Sequence, residues 1–209
     1  MKSGSKIGII DYGMGNLRSV SKAIEHLGGS VYVGSDLSIL SRLEKLILPG
    51  VGAFGDAMAE LKKRKLVPLI QNASREGKKI LGICLGLQLF FERSAENPNV
   101  KGLSLWKGSV PRFTKTNQDL KIPHMGWNQV DLKRTSKITA KLKNHSYFYF
   151  VHSYYSKPAD KSLIVGKTDY GISFPAVLAS ENIFAVQFHP EKSQKAGLQI
   201  LKNFIELLC

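Results

Sequence analysis

A chain of 209 residues, 43% of them hydrophobic, is the size of one domain and buries roughly 70% of its unfolded surface, enough for a core without staples. No apolar run approaches the ~18 residues of a membrane-spanning helix, and Met1-Lys-Ser-Gly-Ser-Lys6 carries no signal-peptide apolar region. A single domain over 1–209, cytoplasmic and with no membrane association, is the expectation. The formal charge of +14 raises a polyanion as partner. Its carriers, Lys62-Lys63-Arg64-Lys65, Lys78-Lys79, Lys133-Arg134 and Lys141-Leu-Lys143, are scattered, with little aromatic interleaving and no nucleic-acid-binding motif. A solvated basic surface is therefore preferred over a nucleic-acid site. Two cysteines, Cys84 and Cys209, neither in a CxxC pair, make no disulfide framework and no zinc site. No metal and no cofactor are expected, and nothing assigns a role to Cys209.

In chain order, Lys6 to Asp11 reads as a buried strand. Asn16 then caps a helix with Leu17, Val20, Ile24 and Leu27 at helical spacing, ended by Gly28-Gly29. Ser30 to Val33 and Leu46 to Leu48 predict two further strands, the second running into Pro49-Gly-Val-Gly52. Lys65 to Glu76 predicts a helix, Lys79 to Cys84 a strand, and Leu85 to Arg93 the helix after it. Alternation of this kind implies right-handed crossovers and a mainly parallel central sheet flanked by helices. The second half changes character. Trp106 to Phe113, Gly126 to Leu132, Tyr147 to Tyr155, Leu163 to Thr168 and Ala176 to Phe188 predict an added antiparallel β layer. A last helix, Gln194 to Leu208, is expected to bury Leu198, Leu201, Ile205 and Leu208. The class is α/β.

Gly82-Ile-Cys84-Leu-Gly86 sets a cysteine between a strand and a helix, with glycine two residues away on each side. This is the nucleophile-elbow pattern: a sharp turn strains the middle residue, small flanks avoid clash, and the thiol projects from the sheet. The helix N-terminus behind it favours negative charge on the sulfur. A free cysteine at a strand end is also how a small buried hydrophobe looks, and both readings stand at this point.

A nucleophile needs a base, and the base an orienting partner. Of five histidines, His26 and His145 lie in surface-like contexts, and His124 and His152 suit a supporting layer. His189 is best placed, because it follows the apolar strand Ala185-Val-Gln-Phe188, and Pro190 stiffens a short step to Glu191. An ordinary strand-terminating turn explains His-Pro-Glu equally well on its own.

Together these blocks resemble the class-I, or triad, glutamine amidotransferases, a flavodoxin-like fold. Pro49-Gly-Val-Gly-Ala-Phe-Gly-Asp56 is similar to the family's oxyanion loop, Gly82 to Gln88 to its elbow and Gln187-Phe-His-Pro-Glu191 to its His-Glu block. Finer matches, Asp11-Tyr-Gly-Met-Gly-Asn16, Pro123-His-Met-Gly-Trp-Asn128 and Tyr149-Phe-Val-His-Ser-Tyr154, resemble one branch of it. The resemblance runs from about Ile7 to the C-terminus. It implies a glutaminase in which Cys84 attacks the glutamine carboxamide, His189 moves the proton and Glu191 holds the imidazole. It implies an oxyanion hole from the Leu85 amide and the loop Gly50, Val51 and Gly52, formed after a peptide flip. Gln88, Glu96 and the backbone of Gly52, Ser153 and Tyr154 are implied contacts to L-glutamine. The implied partner is a (β/α)8-barrel cyclase subunit of histidine biosynthesis, joined as a heterodimer that takes up the ammonia. Asn16, Trp127, Tyr149 and Lys192 would face it, although Trp127 and Tyr149 could equally be core aromatics.

Three other readings remain at this level. A paralogous glutaminase could feed another synthase, such as a sugar amidotransferase. A cysteine peptidase of similar architecture would share the nucleophile and base. A basic nucleic-acid-binding module would explain the charge alone.

Overall fold

The computed structural model describes residues 6–114 and 120–207. In chain order β1 (Ile7–Ile10), α1 (Leu17–His26), β2 (Val31–Gly34), the short α2 (Leu37–Leu40) and β3 (Lys45–Gly50) are followed by α3 (Phe54–Lys63), α4 (Leu66–Arg75), β4 (Lys79–Cys84) and α5 (Leu85–Leu89). Two minor strands follow, β5 (Arg93–Ser94) and β6 (Gly108–Val110). Next come β7 (His124–Leu132), β8 (Ser146–His152), β9 (Lys157–Pro158), β10 (Ile164–Asp169), β11 (Ser173–Ala179), β12 (Ile183–Val186) and α6 (Gln194–Glu206).

Nine strands form one sheet in the order β2-β1-β3-β4-β12-β11-β10-β7-β8, and β5, β6 and β9 form a small second one. From β2 to β12 neighbours pair in parallel; from β12 to β8 they pair antiparallel. The antiparallel addition thus extends the parallel sheet in its own plane. β3 and β12 are buried along their whole length, as expected for parallel strands covered on both faces. One core cluster joins α1 and α6 to Ile7, Ile9, Leu81, Ile83 and Val186; the other joins α3, α4 and α5 to Ile10, Leu46, Leu48 and Ile80.

Several expectations need correction. α3 was not foreseen, though Phe54, Ala57, Met58 and Leu61 are buried at helical spacing, and the last residues expected in the oxyanion loop, Phe54 to Asp56, form its first turn. The helix expected over Leu85 to Arg93 stops at Leu89. The loop beyond it claims the next carbonyls, with Leu103 N donating to Leu89 O and Leu105 N to Phe90 O. The stretch Ala176 to Phe188 is two strands, because Ser180 N turns back to Ile183 O at 2.9 Å. α6 buries Gly197, Ile200, Leu201, Asn203 and Phe204, a face rotated from the expected one. Asn203 accounts for part of this, its amide donating to Ile138 O and Ala140 O. Of the leucines and isoleucine expected there, Leu201 is buried, Leu198 and Ile205 are half-buried, and Leu208 lies outside the described residues, as does Cys209.

The tightest packing in the sheet is between α5 and β3. A Cβ on Gly86 would lie 1.9 Å from Leu48 O, and one on Gly82 would lie 2.7 Å from the Phe90 ring and 2.9 Å from the Gly86 carbonyl carbon. Neither backbone can give way without breaking sheet or helix bonds. Gly86→Ala should cost roughly 2–3 kcal/mol through this overpacking, read as a lower denaturant midpoint with an unchanged m-value.

Candidate active site

The carboxyl ends of β3, β4 and β12 meet at one edge of the sheet, the usual place for a site in an open α/β fold. Gly50 pairs with Cys84. Val186 pairs with Ile83, and continuing that register sets Gln187 beside Cys84. Cys84 has φ 55 and ψ −106, the strained conformation an elbow demands. Its side chain is buried and lines a cavity of about 300 Å³ with Val51, Gly52, Leu85, Gln88, Glu96 and His189, and with Val151 to Tyr154.

His189 ends the segment after β12, and its backbone amide donates to Tyr149 O at 2.9 Å. The turn Pro190–Lys192 brings Glu191 back, so that its Oε1 lies 2.8 Å from His189 Nδ1 with both side chains buried. Ser193 Oγ, which donates to His189 O at 2.6 Å and accepts from Tyr149 N at 2.9 Å, fastens this turn to β8. Among the described residues, His189 Nε2 and Glu191 Oε2 find no hydrogen-bond partner, and His189 borders the same cavity as Cys84. Burial opposes a charge on His189, but Cys84 and Glu191 together outweigh it and hold the imidazolium up to about 10.

The turn after β3 has Val51 exposed and Gly52 at φ 96, where a side chain would be strained. Its base is pinned. The buried Tyr12 hydroxyl donates to Pro49 O at 2.9 Å, and a Cβ on Gly50 would lie 2.3 Å from that hydroxyl. Burial, then the nearby Cys84, push the tyrosine pKa far up, so Tyr12 stays a donor.

Of the expected substrate contacts, Gln88 is buried, and Glu96 is held by α3. Glu96 Oε2 accepts from Phe54 N at 2.7 Å and Asn97 Oδ1 from Gly55 N at 2.8 Å, so the two side chains cap a helix whose own cap residue, Ala53, has no side-chain oxygen. Ser153 and Tyr154 line the same cavity.

Two further groups make contacts that the sequence did not specify: Gln187, and the pair His124 and His152, which were expected only as a supporting layer. Gln187 is fully buried; its Nε2 lies 3.8 Å from Cys84 Sγ, and its Oε1 accepts from Gln88 Nε2 at 3.3 Å. The one available signal was a polar residue inside an apolar strand. His124 and His152 face each other across β7 and β8, Nδ1 to Nε2 at 3.0 Å. Burial drives their pKa values down to about 4 and about 3, so both rings are neutral.

On the other face of that strand pair, Met125, Trp127 and Tyr147 are exposed. Trp127 meets Tyr149 edge-on at 6.1 Å, and Lys192 Nζ lies 5.8 Å from the Tyr149 ring. Trp127 is therefore no core aromatic. Asn16 caps α1, accepting from Ser19 N. Among the described residues no cluster of three or more His, Cys, Asp or Glu side chains could hold a metal, and no helix is long and apolar enough to cross a membrane.

The family model for class-I glutamine amidotransferases matches residues 8–207, and the chain belongs to that family. Solved structures share the fold: a glutamine amidotransferase aligns with TM-score 0.73 at 16% identity, covering 95% of this chain and 98% of the other. PurLQS from Thermotoga maritima aligns at 0.75 and 21%, covering 96% and 97%. Closer in sequence are proteins named imidazole glycerol phosphate synthase subunit HisH. That of Aquifex aeolicus is 51% identical, covering 94% of each chain. That of Caldanaerobacter subterraneus is 48% identical over 97% of this chain and 98% of its own. That of Methanocaldococcus jannaschii is 49% identical over 97% and 100%.

The raised His189 pKa fixes a sign. A folded-state value of about 10 against the ordinary 6.5 means the charged imidazole favours folding fully below pH 6.5, and that this contribution is lost as pH rises through about 10. In Glu191→Gln the carboxylate is gone, and the His189 deprotonation midpoint should fall by at least about one unit, measured by ¹⁵N NMR of the imidazole.

Proposed function

We propose that this chain is the glutaminase subunit of imidazole glycerol phosphate synthase, hydrolysing L-glutamine and passing ammonia to a cyclase subunit in histidine biosynthesis. One observation carries the chemistry: Cys84 and His189 border one cavity from adjacent parallel strands, with Glu191 on the far imidazole nitrogen. The names and near-complete coverage of the relatives carry the pathway.

In this mechanism His189, which borders the same cavity as Cys84, takes the thiol proton as the base. The sulfur attacks the glutamine side-chain carbonyl and forms a tetrahedral oxyanion. His189 gives its proton to the departing nitrogen, the C–N bond breaks, and ammonia and a thioester result. Water then attacks the thioester as His189 takes its proton, releasing glutamate and restoring the sulfur. Glu191 keeps Nδ1 engaged throughout, so that Nε2 is the nitrogen that exchanges protons. The Leu85 amide and the Gly50-Val51-Gly52 turn supply the oxyanion donors, each worth ~2.7–4 kcal/mol in the barrier. Gln88, Glu96, Ser153 and Tyr154 hold the amino-acid end of glutamine.

Ammonia released into water is protonated and lost, so the site is useful only against a synthase. Met125, Trp127, Tyr149 and Lys192 form an apolar face with a cationic rim that suits a (β/α)8-barrel subunit in a cytoplasmic heterodimer, with Asn16 as a further contact. A chain of charge +14 calls for an acidic face on that barrel.

Ammonia release from glutamine, assayed with and without the cyclase subunit and its ligand, should be low alone and rise in the complex, and vanish in Cys84→Ala. Release undiminished in that variant would overturn the assignment. Trp127→Ala should weaken the heterodimer at least about tenfold, as for a central aromatic contact, and added salt should weaken it further; titration calorimetry checks both.

A further inference from the structure

Of the paired histidines His152 lines the pocket and His124 lies next to it, and with both rings neutral the heavy-atom distances set the direction of each bond. His152 Nδ1 lies 2.7 Å from Tyr154 O. A carbonyl only accepts, so this nitrogen carries the hydrogen. His152 Nε2 must then accept, and His124 Nδ1, 3.0 Å away, must donate. That leaves His124 Nε2 to accept from Asn128 Nδ2 at 3.2 Å. Asn128 cannot be turned round, because its Nδ2 also donates to Asp169 O and its Oδ1 accepts from Gln129 N. Each ring thus has one allowed tautomer. The rings are held as well: His124 lies between Phe150 at 4.8 Å and Tyr170 at 4.1 Å, and His152 packs on Phe113 and Phe174.

The chain of bonds ends in the pocket. Tyr154 O also accepts from Gln88 Nε2 at 3.1 Å, Gln88 Nε2 reaches Gln187 Oε1, and Gln187 Nε2 points at Cys84 Sγ. The His152 bond bends the main chain directly after β8, where Ser153 and Tyr154 turn into the cavity wall. Pro111 and Phe113 hold that segment from its other side, through Tyr155 N to Pro111 O and Phe113 N to Ser153 O.

We propose that His124 and His152 are positioning residues for the glutamine pocket, a one-way relay that fixes the Tyr154 carbonyl and, through it, the Gln88 carboxamide. This rests on the glutaminase assignment above. His152 forms part of the wall and His124 braces it; what they set is the shape of the wall that binds substrate. Loss of the relay leaves Tyr154 O short of one buried donor and frees the turn, so binding suffers before chemistry does.

The test is glutamine-dependent ammonia release by the complete complex with its cyclase subunit. His152→Phe keeps a ring among Phe113, Phe150 and Phe174 but has no donor. His152→Asn places an amide N–H where Nδ1 was. The phenylalanine variant should raise KM for glutamine about tenfold with kcat changed less than about threefold, the scale of one lost buried hydrogen bond, and the asparagine variant should restore most of the loss. An unchanged KM in His152→Phe, or equal damage in both variants, overturns the proposal and leaves the ring a packing role. Should the phenylalanine variant not fold, long-range ¹⁵N NMR of the wild type decides: Nδ1–H on both rings supports the relay, and an Nε2–H tautomer on either sinks it. Wild-type ammonia release abolished by Cys84→Ala shows whether the glutaminase assignment stands, independently of how the His152 variants behave.

Discussion

Parallel pairing of β12 with β4 is the constraint on which the site depends. These strands are about a hundred residues apart in sequence yet lie side by side in register, Ile183 to Val186 against Ile80 to Ile83. Being parallel, they end at the same edge of the sheet. The elbow on one and the histidine after the other therefore face one cavity. An antiparallel pairing would send His189 to the opposite edge. Burial of every side chain in β12 gives the pairing its hydrophobic drive, and the return of the chain through β11 as an antiparallel hairpin sets its direction.

Around that edge the polar groups are organised by burial. An unpaired polar atom in a dry site is costly, so nearly every such group carries a partner. Gln88, Gln187, His124, His152 and Tyr12 all do. Two atoms there, His189 Nε2 and Glu191 Oε2, have no partner among the described residues, and of these Nε2 is the nitrogen left free to exchange protons. At the same edge Cys84 is at positive φ, held by glycines that let α5 lie directly on β3.

The β7–β8 pair has two chemically distinct faces because side chains alternate along a strand. Trp127 and Tyr149 point outward beside Lys192, while His124, Phe150 and His152 point into the core. One pair of strands thus carries both an exposed apolar surface and part of the pocket wall. It is also the edge of the sheet among the described strands, where the turn after β12 covers the middle of β8 through His189 N to Tyr149 O and Tyr149 N to Ser193 Oγ.

Sequence alone determined whatever depends on neighbours along the chain. Periodicity placed β1, α1, β4 and α4 to within a residue or two, Asn16 capped its helix as its type predicts, and the glycines around Cys84 announced the elbow. The His-Pro-Glu step gave the orienting pair, because two residues and a proline fix its reach. The extent of α5 and the buried face of α6 were not legible, since carbonyls claimed by residues 103–106 end the first and Asn203, bonding to a distant loop, turns the second. The contacts of Gln187 and the bond between the two histidines expected as a supporting layer were equally hidden, because their partners come from other strands. The sequence thus offered Cys84 and His189 as separate local candidates, each with an ordinary structural explanation beside it. Only the order and direction of strands brought them to one cavity, because hydrogen-bonded pairing between distant segments is decided by the whole sheet.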